Sequence, residues 1–181
     1  MVAVRIKLQW LALIGVVVSL SLFTVQARLQ ARDRGVGVAL GDVAPAFTLP
    51  ALGGGTVSLR ALRGRPVDLD FFTTFCQACR DEAPDLEAVH QALGSRAAVI
   101  GVDLTLSEAS VEDVRQFVRG FGVTYPVALD RTGRVSDAYL VNSIPTSVFI
   151  GPHGHVRAVV RSQMDYNGMM ASLRPLLVHR R

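Results

Sequence analysis

Cys76 and Cys79 are the only two cysteines in this 181-residue chain, and they stand three apart in Cys76-Gln77-Ala78-Cys79. The apolar run before them, Val67 to Phe72, reads as a strand, and the segment from Gln77 onward reads as a helix. The pair therefore falls where a strand hands over to a helix N-terminus. Free backbone N–H groups and the positive end of the helix dipole stabilise a thiolate there, lowering its pKa below the free value of about 8.5. Cys76 is the expected nucleophile. Cys79, at i+3 on the helix surface, can attack a mixed disulfide formed at Cys76 and release the partner's thiol. Such a pair shuttles two electrons. A static disulfide across so short a loop would gain little chain entropy. A zinc site wants four ligands, of which one CxxC supplies two.

The elements that must hold this pair follow from periodicity. Val67 to Phe72 suits a central strand buried on both faces. Ala83, Leu86, Val89 and Leu93 recur at helical spacing, so the helix runs to Leu93 and stops at Gly94, with Pro84 inside it as an expected kink. Ala97 to Val102 is the next buried strand. Ser110 with Asp113 resembles a capping box ahead of the stripe Val111, Val114, Phe117, Val118 and Phe121. Tyr125 to Leu129 reads as a strand, Val135 to Leu140 as a short helix, and Ile144 to Ile150 as a strand opened by Pro145. Gly151-Pro152-His153-Gly154 is a hairpin turn answered by His155 to Val160. Asp165 to Val178 closes the chain as an amphipathic helix. Upstream, Ala44 to Leu49, Gly53-Gly54-Gly55 and Thr56 to Leu59 read as a small hairpin. The alternation specifies an α/β architecture with a mixed sheet.

Outside this domain the chain is different. Leu8 to Val25 carries no charge and approaches the roughly 20 residues a helix needs to cross hydrocarbon. Arg5 and Lys7 precede it, and Val25-Gln26-Ala27 has the small-residue pattern of a cleavage site. Residues 1–27 thus read as a signal anchor or a cleaved signal peptide, 28–40 as an arginine- and glycine-rich linker, and 41–181 as the folded domain. Either fate of the N-terminus places the domain outside the cytoplasm, where thiol exchange with other disulfides is most useful. The excess of 19 Lys and Arg over 15 acids, net +4, implies only weak attraction to acidic surfaces. No aromatics interleave with a basic patch, which argues against nucleic-acid binding.

Taken in order, APAFTL, GRPVDLDFF, CQACRDEAP, GVTYPVALD and IPTSVFIGPHGHV resemble the membrane-tethered thiol-disulfide oxidoreductases of the TlpA/ResA group, in the thioredoxin superfamily. The resemblance implies a thioredoxin fold, a mixed sheet flanked by helices, with an N-terminal hairpin and a strand and helix inserted within roughly Leu104 to Asp130. It implies Cys76 as attacking and Cys79 as resolving thiol, with the disulfide itself the redox group and no metal or further cofactor. Pro145 falls where the superfamily places a cis-proline facing the cysteines, with Thr146 after it. Glu82 matches an acid that tunes the cysteines. Asp70 stands where thioredoxin carries a buried acid and this group more often has asparagine. Asp68, on the same side of the strand, is either buried with it or hydrated at a sheet edge. There are two departures from the family: Phe75 replaces a tryptophan, and Gln77-Ala78 replaces a pair ending in proline.

The implied function is reduction of disulfides in exported proteins, often apocytochrome c thiols awaiting haem, by a monomer drawing on a membrane or extracytoplasmic electron donor. Two rivals compete with it. A thiol peroxidase shares the APAFTL-like opening, and Thr73 stands three before Cys76, but Leu69 replaces the proline expected four before that threonine. A copper-delivery module on a related fold would use two cysteines and a distant histidine, with cysteines spaced one residue wider. His90, His153, His155 and His179 read better as solvated or core side chains.

Overall fold

Six consecutive residues, Val67 to Phe72, are buried and form the middle strand of a five-stranded sheet. A computed structural model describes residues 35–177, and Val36 onward forms one compact unit. The apolar segment 8–25, the cleavage pattern near Ala27, residues 28–34 of the linker, and the tail with His179 lie outside the described residues.

In chain order the elements are β1 (Thr48–Pro50), β2 (Thr56–Ser58), β3 (Val67–Phe72), α1 (Gln77–Leu93), β4 (Ala98–Asp103), α2 (Val111–Gly120), β5 (Val127–Leu129), α3 (Arg134–Ala138), β6 (Thr146–Ile150), β7 (Val156–Val160) and α4 (Tyr166–Leu177). The large sheet is ordered β5-β4-β3-β6-β7. Strand β4 runs parallel to β3 and to β5, whereas β6 runs antiparallel to β3 and to β7. This is a thioredoxin-like fold with a mixed sheet and flanking helices. Helix α2 and strand β5 occupy the expected insertion, and β1 with β2 makes the expected hairpin, Thr48 opposite Ser58.

Period-two alternation splits β3 between two cores. Val67, Leu69 and Phe71 join the hairpin residues Leu49, Val57 and Leu59, together with Val135 and Tyr139 around α3. Phe72 faces the other way, into a cluster with Leu86 and Val89 of α1, Phe117 of α2, and Met169 and Leu173 of α4. Asp68 and Asp70 share the Phe72 side, so both carboxyls lie under α1 and neither reaches an edge.

Some boundaries differ from the periodicity for local reasons. The returning strand of the hairpin stops at Ser58 because buried Leu59 opens a 3-10 turn, Leu59–Leu62. Tyr125 and Pro126 precede β5; the Pro126 carbonyl accepts the Gly101 N–H. Strand β7 begins at Val156, and the residue before it, His155, bridges to Val43. Pro84 lies inside α1 without ending it, leaving the Arg80 carbonyl without its helical donor. Ser110 caps α2 by accepting the Asp113 N–H; the Asp113 carboxylate accepts the Ser110 hydroxyl in place of the backbone N–H of a full capping box.

Opposite Asp70 in β4 is Gly101. A Cβ there would lie 3.1 Å from ring atoms of both Phe72 and Tyr125. The glycine makes room for the two rings that cover the acid. Gly101→Ala should therefore destabilise the domain by about 1–3 kcal/mol through overpacking, read as a lower urea midpoint at unchanged slope.

Candidate active site

The chain leaves β3 through a four-residue turn in which the Cys76 N–H donates to the Thr73 carbonyl at 3.4 Å. Cys76 is the N-cap of α1, and its Sγ accepts the Cys79 N–H at 3.2 Å. Here a sulfur does what a serine or aspartate oxygen does at ordinary caps, so the helix end that would stabilise a thiolate is aimed at Cys76. The two sulfurs are joined as a disulfide, with Cα atoms 5.3 Å apart. Cys79 is 3% exposed, whereas Cys76 is only partly covered, so Cys76 is the sulfur that another protein can reach. Phe75 beside it is 66% exposed.

Pro145 enters β6 through a cis peptide from Ile144. Thr146, the first residue of β6, is opposite Phe71, and its hydroxyl donates to the Ser143 carbonyl at 2.7 Å. The loop ahead of Pro145 therefore opens at the cysteine end of the sheet, and Ile144 packs on the same apolar cluster as Cys76.

Behind the disulfide lies a group of carboxyls that sequence reasoning only half anticipated. Asp68, Asp70 and Glu82 are all buried, and Glu82 stands three residues after Cys79 on the same helix face. Neither carboxyl oxygen of Asp68 or of Glu82 has a hydrogen-bond partner, nor does Oδ1 of Asp70. Among the described residues the salt bridges join Glu112 to Arg115 and Arg119, so no cation neutralises the three. Burial raises each pKa, because removing water penalises the charged form. Asp70 is pushed up to about 7 by burial. Glu82 is pushed up to about 9, first by burial and then by the charge of Asp70; the Met164 amide approaches it and offsets part of this without closing a hydrogen bond. Asp68 is raised well above the usual carboxylate range by burial and then by Asp70. Tyr125 covers the group, its own pKa raised by burial and then by Asp70.

A second set of acids was not singled out by the sequence reading at all. Asp103 ends β4, Asp130 follows β5, and both are fully buried. Asp130 Oδ2 accepts the N–H groups of Val135 and Ser136 at the start of α3. Asp103 Oδ1 accepts the Thr105 hydroxyl at 2.6 Å. Glu108, beyond them, accepts both the N–H and the hydroxyl of Thr74, each at 2.6 Å. Strand ends are where α/β folds place functional side chains, and that was the available signal. The distance of 34 residues between Thr74 and Glu108 hid the contact. His153 and His155 lie at the β6–β7 turn, at the end of the sheet opposite the cysteines. Among the described residues no three His, Cys, Asp or Glu side chains are grouped to hold a metal ion.

A family model described as AhpC/TSA family matches residues 40–159, which takes in the hairpin, both cysteines and nearly all of the sheet. Thiol-disulfide oxidoreductase ResA of Bacillus subtilis (strain 168) is 35% identical over 124 residues, 68% of either chain. The chain belongs to the ResA-like thiol-disulfide oxidoreductases. ResA of Geobacillus kaustophilus is 30% identical over 174 residues, 94% of this chain and 93% of that one. Among solved structures, a thiol:disulfide interchange protein of Chlorobium tepidum superposes with a TM-score of 0.69 at 25% identity, covering 77% of this chain and 98% of its own. A secreted Mycobacterium tuberculosis disulfide oxidoreductase homologous to DsbE superposes with a TM-score of 0.65 at 26% identity, covering 72% and 96%. The resemblance read from the ordered motifs is thus borne out, and this ResA-like oxidoreductase carries the thioredoxin-like fold that the resemblance implied.

The uncompensated carboxyls make a pH prediction for this ResA-like oxidoreductase. Their folded pKa values lie above the unfolded ones, so the native state binds more protons across that interval and stability falls as pH rises. The loss begins near the unfolded value of 3.8 for Asp70 and continues through its folded value of about 7. It amounts to roughly 4 kcal/mol for that group, at 1.36 kcal/mol per pKa unit. Asp70→Asn should flatten the profile of Tm against pH between about 4 and 7 and leave the variant more stable than the parent at pH 8.

Proposed function

We propose that this oxidoreductase is an extracytoplasmic protein-disulfide reductase working through a dithiol-disulfide cycle. The observation that carries the reading is the asymmetry of the pair: a reachable Cys76 at the tip of α1, and a buried Cys79 backed by carboxyls. In the dithiol form the Cys76 thiolate attacks a substrate disulfide, forming a mixed disulfide and expelling one substrate thiolate. The Cys79 thiol loses its proton and attacks the Cys76 sulfur, closing the Cys76–Cys79 bond and expelling the second substrate thiolate. Two electrons pass to the substrate, and the redox group is the disulfide itself, with no further cofactor. Asp70, poised near neutrality, is the proposed acceptor of the Cys79 proton. Glu82 stays protonated at neutral pH and keeps a second charge away from the resolving sulfur.

A protein substrate fits the surroundings. Phe75, Leu106 and Leu140 stand exposed: Phe75 beside Cys76, Leu106 in the 3-10 turn that follows β4, and Leu140 between α3 and β6. The backbone ahead of Pro145 is not paired in the sheet, which leaves it free to align an extended client segment. Exported proteins, including apocytochromes c before haem attachment, are the proposed clients, and a membrane or extracytoplasmic dithiol the proposed donor. The apolar segment 8–25 is the proposed anchor, with cleavage after Ala27 as its alternative. The chain enters the domain at the opposite end from the cysteines, where the Gly41 N–H donates to the Val156 carbonyl, a placement that suits a tether. The same topology disfavours copper delivery, because His153 and His155 are a sheet's length from the sulfurs.

Equilibration with glutathione tests the cycle. The reduced form should transfer electrons to a disulfide-bonded protein. Cys76→Ser should abolish transfer, and Cys79→Ser should accumulate a mixed disulfide with the client. A pair that exchanges with neither glutathione nor protein disulfides sinks the proposal, and turnover of hydrogen peroxide in its place would establish the peroxidase. In Asp70→Asn the apparent pKa of the Cys79 thiol should change by about a unit or more; an unchanged value removes Asp70 as proton acceptor.

A further inference from the structure

Thr74 occupies the first central position of the turn that delivers Cys76, and side chains from elsewhere hold all of its polar atoms. Its N–H and hydroxyl donate to Glu108 Oε1 and Oε2, each at 2.6 Å, and its carbonyl accepts from Arg80 Nη1 at 3.2 Å. A carboxylate bound to two donors at such short range is among the strong hydrogen-bonding arrangements. Glu108 belongs to the insertion. It follows the 3-10 turn Thr105–Ser107, its own N–H donates to the Thr105 carbonyl, and the Leu104 N–H donates to the Phe72 carbonyl. The insertion is thereby pinned to the turn that presents the nucleophile.

The charges around this turn oppose one another. Arg80 lies over the Phe121 ring at 5.1 Å and, with the helix end, favours a thiolate at Cys76. Glu108 disfavours one, and it also occupies a backbone N–H two residues before the sulfur. Two virtual bonds separate the Cα atoms of Thr74 and Cys76, a span of no more than about 7.6 Å, and both charged side chains are hydrogen-bonded to Thr74. The remaining neighbours are Asp113, which lines the groove beside Thr74, Phe75 and Arg80, and Asp103, pushed to about 7 by burial, with the Thr105 hydrogen bond lowering it and the Glu108 charge raising it.

We propose that Glu108 is a positioning residue of the redox pair: it fixes the turn that presents Cys76 and sets a negative charge beside it, holding the potential on the reducing side. Reduction adds two electrons and two protons to the Cys76–Cys79 bond, after which the Cys76 thiol can release its proton. Whatever stabilises that thiolate stabilises the reduced form and makes the disulfide a stronger oxidant. Glu108 works against the thiolate, so the oxidised form is favoured and the dithiol is the better donor. The inference rests on the proposed dithiol cycle.

The test is equilibration of the full chain, in detergent, with glutathione redox buffers. Glu108→Gln should shift the equilibrium constant about three- to tenfold toward the dithiol, about 15–30 mV, and lower the Cys76 thiol pKa read from ultraviolet thiolate absorbance. Glu108→Asp keeps the charge; it should stay within about twofold of the parent constant while the Thr74 amide exchanges hydrogen faster. A folded Glu108→Gln within about twofold of the parent overturns the proposal. So does a Glu108→Asp that shifts as far as Glu108→Gln, because charge would then not be the cause. Should Glu108→Gln not fold, Arg80→Gln supplies the same test with opposite sign, and a shift toward the dithiol there overturns it. A parent that fails to equilibrate at all refutes the dithiol cycle itself, a distinguishable result.

Discussion

The redox end of the molecule depends on one junction, the passage from the central strand β3 into helix α1. Strand β3 is hydrogen-bonded on both sides, by β4 and by β6, and buried on both faces, so its C-terminal end is among the most tightly held points in the domain. From that end a short turn delivers Cys76 to the helix tip. The helix then carries Cys79 back under cover, so the two sulfurs differ in access although they are joined to each other. That difference in access leaves one sulfur open to a second protein and the other shielded.

The same strand that anchors the junction also carries its electrostatic cost. Asp68 and Asp70 occupy positions where period-two alternation would ordinarily place apolar residues against α1, and Glu82 comes down on them from the helix. With no cation among them, burial raises all three pKa values, Asp70 to about 7 and Glu82 to about 9. Natural cores seldom retain such a group for stability, since protonated carboxyls without partners cost more than the leucine or phenylalanine that would fit. Glu82 stands about one helical turn beyond Cys79, and its charge and that of Asp70 act on each other. Asp68 lies one pleat farther from the cysteines, between Val99 and Phe149, and nothing in the structure explains it beyond its effect on Asp70.

Much of the fold was legible in the sequence because it rests on local pattern. The six-residue run Val67–Phe72, the helical spacing of Ala83, Leu86, Val89 and Leu93, and the turn Gly151–Gly154 each specify an element from nearest neighbours alone. The boundary errors were of one or two residues, except that β1 starts at Thr48, four residues after Ala44, and two of them fall where a tertiary partner competes. Tyr125 turns away from β5 to cover Asp70, and Leu59 leaves β2 to fill the core beneath the hairpin. The candidate site was legible to the extent that it is contiguous: Cys76, Cys79 and Glu82 share one helix, and their relation is a matter of helical pitch.

Residue order by itself determined that the two thiols would be neighbours, since residues three apart at a helix start lie within one turn of each other. It also determined the family, through motifs whose sequence preserves a common topology. Only the tertiary structure decided what surrounds the sulfurs. It buried Asp68 together with Asp70, brought Glu108 across 34 residues to hold Thr74, and put His153 and His155 at the far end of the sheet. The reason is physical: a side chain's dielectric surroundings and its charged neighbours are set by which segments pack together, and local periodicity records which face a residue occupies but not what will cover it.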